Sequence, residues 1–507
     1  MNLAGELLRI AATAPDRAAI VAPERVTYGE LASRAGALAR RLSKGGLEPG
    51  GRIALVAGND VAFVVAHLAI LQAGGVAVPF NVTSPVEELR HELAAIDPSA
   101  VLAEPAHVER LRRALGQESP AAPITPLDDD ALHASEDPLA ESVARAADDV
   151  AVLLFTAGTA GPPKPAMLTH GSLLANLEQI QQHPGMRIVP DDVALAVLPF
   201  FHIYGLNVVL HLALYAGASV SLVEHFHPAE TLARVQRDGV TVVAAVPAIY
   251  GAWLALDASS APADALQRVR LCVSGASTLE HDVVTGTRDR FGLVVHDGYG
   301  LTEASPVVTT TAVTRESRPG SIGPPLPGVE VRLVGEDGNT VLDGDPGEIV
   351  VRGPNVFAGY WQDDDATARV LRDGWLHTGD IGVADDDGWL SLVDRAKDVV
   401  IVSGFNVYPG EVEEVLAQHP DVAAVAVVGE PHPRTGETVV AYVVPRAGAR
   451  VDPVELLRFG GRRLARYKLP TRVELTDALP RTFAGKVLRR ALSDRVTRAP
   501  DATTNPA

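Results

Sequence analysis

The sequence predicts a large α/β domain followed by a small α+β domain, and three observations carry that reading. Short apolar runs alternate with helix-spaced stretches over the N-terminal half, the pattern of a largely parallel sheet flanked by helices. From Gly320 the composition turns to Gly, Pro and Val with Asp337-Gly338 and Asp387-Gly388 turns, which reads as shorter β structure to about Val393. Beyond Asp394-Arg395-Ala396-Lys397 strand and helix signals resume over roughly a hundred residues, an ordinary domain size. The expected boundaries are 1–395 and 396–498, with 499–507 a disordered tail.

Thr27-Tyr28-Gly29-Glu30 matches a capping box, and Leu31, Ala35, Leu38 and Leu42 form the apolar stripe of the helix behind it. Arg52–Ala57 then reads as a strand and Val61–Ala73 as a helix. Gln117–Asp149 is polar, acidic and Pro-containing, and is expected to be a surface segment. Val193–Leu198, Val240–Val246 and Val269–Val273 read as buried strands. Ile203–Val223 has the length of a membrane span and no charge, but Asn207, His211, Gly205 and Gly217 divide it into a buried helix and a buried strand. In the C-terminal part Val399–Ser403, Val422–Val428 and Thr438–Val444 read as strands. Pro409 starts a helix with Glu411, Glu413 and Glu414 near the positive end of its dipole, and Asp452 caps another through Leu457.

The chain holds 507 residues, 47% of them hydrophobic, enough for large packed cores. Its formal charge of −19 argues against a nucleic-acid partner, which needs clustered Lys and Arg. The single cysteine, Cys272, excludes an intrachain disulfide and sits in an apolar run. Glu6, Arg9 and Asp16 are incompatible with a signal peptide, so a cytoplasmic location is expected, without a transmembrane segment. Nothing in the pattern sets an oligomeric state.

The stretch Val150–Lys164 organises the rest. An apolar run ends in Thr156-Ala157-Gly158-Thr159-Ala160-Gly161-Pro162-Pro163-Lys164, and Leu173, Leu177 and Ile180 recur at helical spacing behind it. Strand, glycine-rich loop and helix together present N–H groups and a cation to phosphate. The loop is not a Walker A loop, because Gly158 and Gly161 are too close and Pro165 follows Lys164. Taken alone it is equally a surface turn. Val273-Ser274-Gly275-Ala276-Ser277 and Val294–Glu303 repeat the theme of an apolar run leading into small residues, as at a cleft along the edge of an α/β sheet.

Five motifs occur in order: the loop, Tyr299-Gly300-Leu301-Thr302-Glu303, Gly374-Trp375-Leu376-His377-Thr378-Gly379-Asp380, Asp394-Arg395-Ala396-Lys397-Asp398, and Pro480-Arg481-Thr482-Phe483-Ala484-Gly485-Lys486. Together they resemble the adenylate-forming superfamily of acyl-CoA synthetases, peptide-synthetase adenylation domains and firefly luciferases, from about Thr27 to Arg490. The resemblance implies an AMP-binding domain of mixed and parallel sheets with a β-rich subdomain, and a small mobile C-terminal α+β domain. It implies two half-reactions: a carboxylate attacks the α-phosphorus of ATP to give acyl-AMP, and a thiol then displaces AMP. ATP, Mg²⁺ and CoA are the implied cofactors and co-substrates.

By this resemblance Thr156, Gly158, Thr159, Gly161 and Lys164 hold the pyrophosphate end of ATP. The loop departs from the family pattern T-S-G-T-T-G-x-P-K-G at Ala157, Ala160 and Pro165. A hydrogen bond to a charged group contributes about 1.5–3 kcal/mol, so two lost hydroxyls matter unless backbone donors dominate. Glu303 and Thr159 are the implied Mg²⁺ ligands, and Thr302 touches the α-phosphate. Gly275, Ala276, Ser277, Asp297, Gly298 and Tyr299 form the adenine pocket, and Asp380 and Arg395 reach the ribose. Lys397 is the hinge. Ser403, Gly404 and Phe405 line the CoA tunnel. Lys486 places an ammonium between carboxylate and α-phosphate, and His202 sits beside the reacting carboxylate. Each residue also has an ordinary reading. Glu303 could cap a helix, Asp380 or Arg395 could form a surface ion pair, Lys486 could be a solvated lysine, and His202 a core histidine.

Amino-acid-activating members of the family that the chain resembles typically place an aspartate in the matching stretch to hold the substrate amine; Phe200–Leu210 carries no carboxylate, which disfavours an amino acid. Phe201–Leu206 resembles fatty-acyl and arylpropenoyl CoA ligases. Asp297–Pro306 and Ser403–Pro409 look most like medium- or long-chain fatty-acyl-CoA ligases, and less like 4-coumarate-CoA ligases. A fatty acid is therefore expected, passed to CoA. The alternatives are an acyl-AMP ligase serving an acyl carrier protein, an aryl-acid CoA ligase, and a binding protein impaired in catalysis by its altered loop.

Overall fold

The computed structural model describes residues 1–480, apart from 117–121, 129–131, 133–136, 140, 157–162, 277–278, 280, 314–317, 319, 336–337, 342–343, 346, 396–399 and 408, and also describes Leu492; for 393–395, 406, 410 and 414 it describes the backbone alone. The expected tail, 499–507, lies outside this set. The chain divides into two compact units. The larger takes in Met1–Val82, Arg90–Thr156 and Lys164–Ala396; the smaller takes the chain from Lys397 and the short stretch Thr83–Leu89.

Strand–helix alternation builds two sheets in the larger unit. One has six strands, in the order Ile124–Pro126, Ala100–Ala103, Arg52–Val56, Val76–Pro79, Val150–Thr156 and Lys164–Thr169; all neighbours are parallel except the last pair. The other has eight, in the order Val307–Thr310, Val295–Gly300, Leu271–Ser274, Val242–Ala245, Val193–Ala196, Ser219–Leu222, Ala18–Ala22 and Val26–Thr27, parallel throughout its centre and antiparallel at both edges. The central strands are apolar on both faces, as parallel strands covered on both sides must be. Helix Val61–Gln72 is buried along its whole length, with Asp60 capping it by accepting from Phe63 N at 2.7 Å.

The Thr27–Glu30 capping box is present in full: Thr27 Oγ1 accepts from Glu30 N at 3.2 Å, and Glu30 Oε2 accepts from Thr27 N at 2.8 Å. Ile203–Val223 resolves as expected into a π-helical segment Tyr204–His211, helix Leu212–Ala216 and strand Ser219–Leu222. Among the described residues no helix is long and apolar enough to cross a membrane.

Three expectations need correction. The phosphate loop is not followed directly by a helix: Lys164–Thr169 returns as a strand antiparallel to Val150–Thr156, with Thr156 opposite Lys164, and the helix begins only at His170, capped by Thr169. The helical spacing was real, but the β-hairpin comes first, so the helix N-terminus is not what the loop offers to phosphate. Second, Gln117–Asp149 is not wholly surface. Its Ile124–Pro126 adds a parallel strand to the six-stranded sheet, where Ile and Thr suit an edge. Third, only Glu411 lies in the first turn of helix Pro409–Ala417. Its carboxylate takes the Lys468 ammonium at 2.9 Å, and Glu413 Oε1 accepts from Val427 N at 2.7 Å, so both serve specific partners as well as the dipole.

After Gly320 an antiparallel sheet forms from Ser321–Gly323, Leu390–Arg395, Trp375–Ala384, Gly347–Arg352 and Glu330–Val334, with Leu371–Arg372 alongside. Arg332 and Arg352 flank the Trp375 ring at 4.3 and 4.5 Å from its centroid. The smaller unit has a five-stranded sheet whose centre is the pair Val422–His432 and Gly436–Pro445, with helices Pro409–Ala417 and Pro453–Gly460. Asp452 caps the latter, accepting from Val454 N at 2.9 Å.

Candidate active site

Adjacent parallel strands of the eight-stranded sheet end side by side, Ser274 opposite Asp297, and this places Gly275 and Ala276 beside Gly298 and Tyr299. Close approach makes Gly275 a tight position and leaves no room for a side chain at Gly300. A Cβ on Gly275 would lie 3.3 Å from Gly298 O and 3.4 Å from Tyr204 Cε1, and one on Gly300 would lie 2.1 Å from Pro306 O. The Tyr204 hydroxyl donates to Val273 O at 3.3 Å, which holds its ring over this strand end. Burial pushes the Asp297 carboxyl up to about 7, opposed by the bond from Gly298 N at 2.9 Å. Cys272 lies buried within the strand, and burial pushes its thiol up to about 12, away from the thiolate form.

Thr302 and Glu303 occupy a 3₁₀ turn immediately beyond. The turn hangs from side chains of distant elements. Asn355 Nδ2 donates to Ala304 O at 2.8 Å, Asn207 Nδ2 to Ser305 O at 2.6 Å and Asn176 Nδ2 to Val307 O at 2.8 Å; all three asparagines are fully buried. Glu303 itself is buried, and its Oε1 accepts from Tyr360 Oη at 2.7 Å. Burial raises its pKa, the Tyr360 bond opposes this, and the negative charge of Asp380 adds to it. Glu303 is thus not a surface carboxylate.

The donor set fits Mg²⁺. Glu303 is a buried carboxylate with no ion-pair partner among the described residues, and a hard divalent cation would relieve that cost.

Asp380 sits mid-strand in Trp375–Ala384, opposite Arg395 on Leu390–Arg395, and its backbone N–H is taken by Thr378 Oγ1 at 3.1 Å. Tyr299 Oη donates to Asp380 Oδ2 at 2.8 Å. The structure thus brings together two residues that the sequence places in neighbouring subsites.

His202 stands in the turn leading from strand Val193–Ala196 into the π-helical segment. Its Nδ1 accepts from Tyr204 N at 3.2 Å, and burial holds its pKa down at about 4. A neutral imidazole whose Nδ1 accepts carries its proton on Nε2.

Thr156 ends its strand opposite Lys164, whose ammonium pairs with Asp363 and lies 5.9 Å from the centroid of the Tyr360 ring. Tyr360 therefore touches both Lys164 and Glu303. Pro165 sits in the returning strand opposite Phe155, and its carbonyl accepts from Trp361 N at 2.8 Å, so this departure from the family pattern is absorbed as ordinary edge structure. Gly158, Thr159, Gly161, Ser277, Lys397 and Lys486 lie outside the described residues, as do Ala157 and Ala160.

In the smaller unit Ser403 and Gly404 form the two-residue turn between strands Val400–Val402 and Phe405–Val407, with φ of +52° and +84°. Positive φ at both positions is what a type I′ hairpin needs, which gives Gly404 a conformational reason of its own. Phe405 stacks on Tyr467 at 4.5 Å between centroids.

Sequence reasoning missed Tyr360, Asp363, Asn176, Asn207 and Asn355 as supports of the site. The available signal was a lone amide inside an apolar stretch, as at Asn207, because a buried amide must find partners.

Comparison with known proteins agrees with this geometry. Residues 7–361 match the AMP-binding enzyme family, and residues 411–486 match the AMP-binding enzyme C-terminal domain. A feruloyl-CoA synthase of Amycolatopsis sp is 40% identical, over 92% of each chain. A long-chain-fatty-acid–CoA ligase of Escherichia coli O157:H7 is 34% identical, covering 93% of this chain and 90% of the relative. Among solved structures, a malonyl-CoA ligase with methylmalonyl-CoA and AMP bound is 36% identical with a TM-score of 0.82, covering 92% of this chain and 97% of that one. An o-succinylbenzoate CoA synthetase from Bacillus subtilis has a TM-score of 0.88 at 28% identity, covering 97% and 98%. The chain belongs to the AMP-binding enzyme family, as an ATP-dependent acyl-CoA synthetase of the adenylate-forming type that works with Mg²⁺ and CoA.

Proposed function

We propose that the protein activates a monocarboxylic acid with an apolar body, in the first instance a medium- or long-chain fatty acid, as its acyl-AMP and transfers it to CoA. One observation carries the reading: His202, whose Nδ1 accepts from Tyr204 N, stands at the head of a buried segment, Tyr204–His211, that has no Asp, Glu, Lys or Arg. Pro199–Val223, Leu271–Ala276 and Val295–Gly300 contain no Lys or Arg, so nothing there neutralises a second carboxylate, and a dicarboxylic acid is disfavoured.

In this reading His202 donates from Nε2 to the acid's carboxylate and orients it. Mg²⁺, when bound at Glu303 and Thr159, neutralises phosphate charge. Tyr299, Asp297 and the small residues around them receive adenine, and Asp380 with Arg395 takes the ribose hydroxyls. Thr302 meets the α-phosphate, and Thr156, Gly158, Thr159, Gly161 and Lys164 hold the departing pyrophosphate. Lys486 screens the two anions as the carboxylate oxygen forms its bond to the α-phosphorus and the bond to pyrophosphate breaks. Lys397 is the hinge for the second half-reaction, and Ser403, Gly404 and Phe405 admit the thiol. A cytoplasmic setting belongs to the same reading.

A second reading, an aryl acid, is favoured by the 40% identity to a feruloyl-CoA synthase. ATP–pyrophosphate exchange with saturated and aryl acids, followed by the same panel with CoA, separates the two. Exchange and acyl-CoA formation with fatty acids support the first reading; both with aryl acids alone support the second. Exchange without acyl-CoA points to a carrier-protein acceptor. Lys486→Ala must abolish exchange; unchanged exchange in that variant overturns the mechanism.

A further inference from the structure

Asn59 lies outside every motif and outside the site, yet its side chain is committed wholly to the segment that carries His202. It follows strand Arg52–Val56 of the six-stranded sheet and directly precedes Asp60, the cap of helix Val61–Gln72. Its side chain is buried. Nδ2 donates to Ala196 O at 3.1 Å and to Leu198 O at 2.7 Å, while Oδ1 accepts from Phe200 N at 3.0 Å. All three partners belong to the end and exit of strand Val193–Ala196, in the other sheet. The exit then closes on itself: His202 N donates to Pro199 O at 3.1 Å, and His202 Nδ1 accepts from Tyr204 N. The Phe200 ring packs on Phe63, at 5.1 Å between centroids, from the helix that Asp60 caps.

An amide is the one small side chain that can donate twice and accept once here. Asp offers no donor when ionised, and Leu offers nothing. Three bonds to alternate backbone groups fix the height and rotation of the strand exit against the six-stranded sheet. His202 follows two residues after Phe200, and its own N–H is tied back to Pro199 O within that exit. We infer that Asn59 is a positioning residue for acid activation: it sets the His202 imidazole, across the two sheets, at the angle from which Nε2 meets the carboxylate. This rests on the reading of His202 given above.

The test is a double-mutant cycle in ATP–pyrophosphate exchange, with Asn59→Ala and His202→Ala singly and together, and thermal unfolding recorded for each. Asn59→Ala should lower kcat/KM for the acid at least tenfold while KM for ATP stays within twofold. In the His202→Ala background the same change should cost less than twofold. A loss of equal factor in both backgrounds, or one shared between acid and ATP, overturns the proposal, because Asn59 would then act as general scaffolding. If His202→Ala alone leaves the acid kinetics unchanged, the reading of His202 fails, and the Asn59 proposal with it. Asn59→Asp, isosteric and retaining the acceptor for Phe200 N, runs through the same cycle should Asn59→Ala not fold, and the same outcomes decide.

Discussion

Tyr360 donates its phenolic proton to Glu303 Oε1 at 2.7 Å, and the same ring lies beneath the Lys164 ammonium. The carboxylate assigned to the metal and the lysine assigned to pyrophosphate are therefore spaced by one aromatic residue that belongs to neither motif. A hydrogen bond to a charged group contributes about 1.5–3 kcal/mol, or about ten- to a hundredfold in an equilibrium. Tyr360→Phe should raise the Mg²⁺ concentration needed for half-maximal exchange about tenfold while the protein stays folded. An unchanged Mg²⁺ requirement would show that the bond does not hold the carboxylate in its working state.

The same pair fixes a pH dependence. Burial raises the Glu303 pKa, so the folded state holds this proton more readily than the unfolded state does. The sign follows: the group favours folding below its unfolded value, and that contribution is lost as pH rises through the folded value. Metal binding needs the ionised form and runs the other way, weakening as pH falls toward the raised pKa. Because the Tyr360 bond opposes the shift, Tyr360→Phe should move the acid limb of a Mg²⁺-affinity profile to higher pH. A limb that stays in place or moves down counts against Glu303 as the ligand.

The Tyr299–Asp380 bond predicts a second difference. Asp380→Ala removes both the acceptor for the ribose hydroxyls and the partner of Tyr299, and should raise KM for ATP by about tenfold or more. Tyr299→Phe keeps the ring and breaks the bond to Asp380 while leaving the Asp380 carboxylate in place, so it should raise KM for ATP by less. Equal effects in the two variants would mean that Asp380 works mainly by fixing Tyr299, not by meeting the ribose. Steady-state kinetics with ATP varied at saturating acid reads this directly.

The motifs of this candidate site are local in the sequence, and the limit of what can be read there is physical. Glu303, Asp380 and His202 lie in local motifs, where a few consecutive residues carry the chemistry. The strands around them are apolar runs whose burial needs no partner to be named. What escaped is long-range. Tyr360 to Glu303 spans 57 residues, and Asn176 to Val307 spans 131. A side chain recruited over that distance leaves no periodicity in the sequence. The Lys164–Thr169 strand was missed for another reason: Lys and Pro at its start read as loop, and only the pairing with Val150–Thr156 makes it a strand. Tertiary pairing outweighed local propensity there.

Lys164 is held by Asp363, which also caps helix Asp364–Val370 by accepting from Ala366 N at 2.8 Å. The Lys164 bond and the cap bond both hold the Asp363 pKa below the usual carboxylate range. Asp363→Asn keeps an oxygen for the cap and removes the charge that competes with phosphate for the ammonium. Lys164→Ala should weaken ATP in exchange, whereas Asp363→Asn should leave KM for ATP unchanged or lower it. If Asp363→Asn weakens ATP as much as Lys164→Ala does, the ion pair itself is what the site needs, and Lys164 is a structural residue and not a phosphate ligand.

Gly404 offers a test of whether the two half-reactions draw on different residues. Its φ of +84° is left-handed, and Ser403 beside it already carries +52°. An alanine there costs about 1–2 kcal/mol of backbone strain. That cost falls on the hairpin between Val400–Val402 and Phe405–Val407 and should lower the unfolding temperature by a few degrees without abolishing the fold. Strain alone would diminish both half-reactions in proportion to the folded fraction. If Gly404 instead leaves room for a thiol, Gly404→Ala should retain pyrophosphate exchange and lose acyl-CoA formation by at least tenfold at a temperature where the variant is fully folded. Lys486→Ala should show the reverse order, with exchange lost and thioester formation from supplied acyl-AMP retained. The two variants measured in both partial reactions give a crossed pattern only if adenylation and thioester formation draw on different residues of the C-terminal part of the chain. Parallel losses in both would mean that Gly404 is kept for its turn, and that the thiol enters elsewhere.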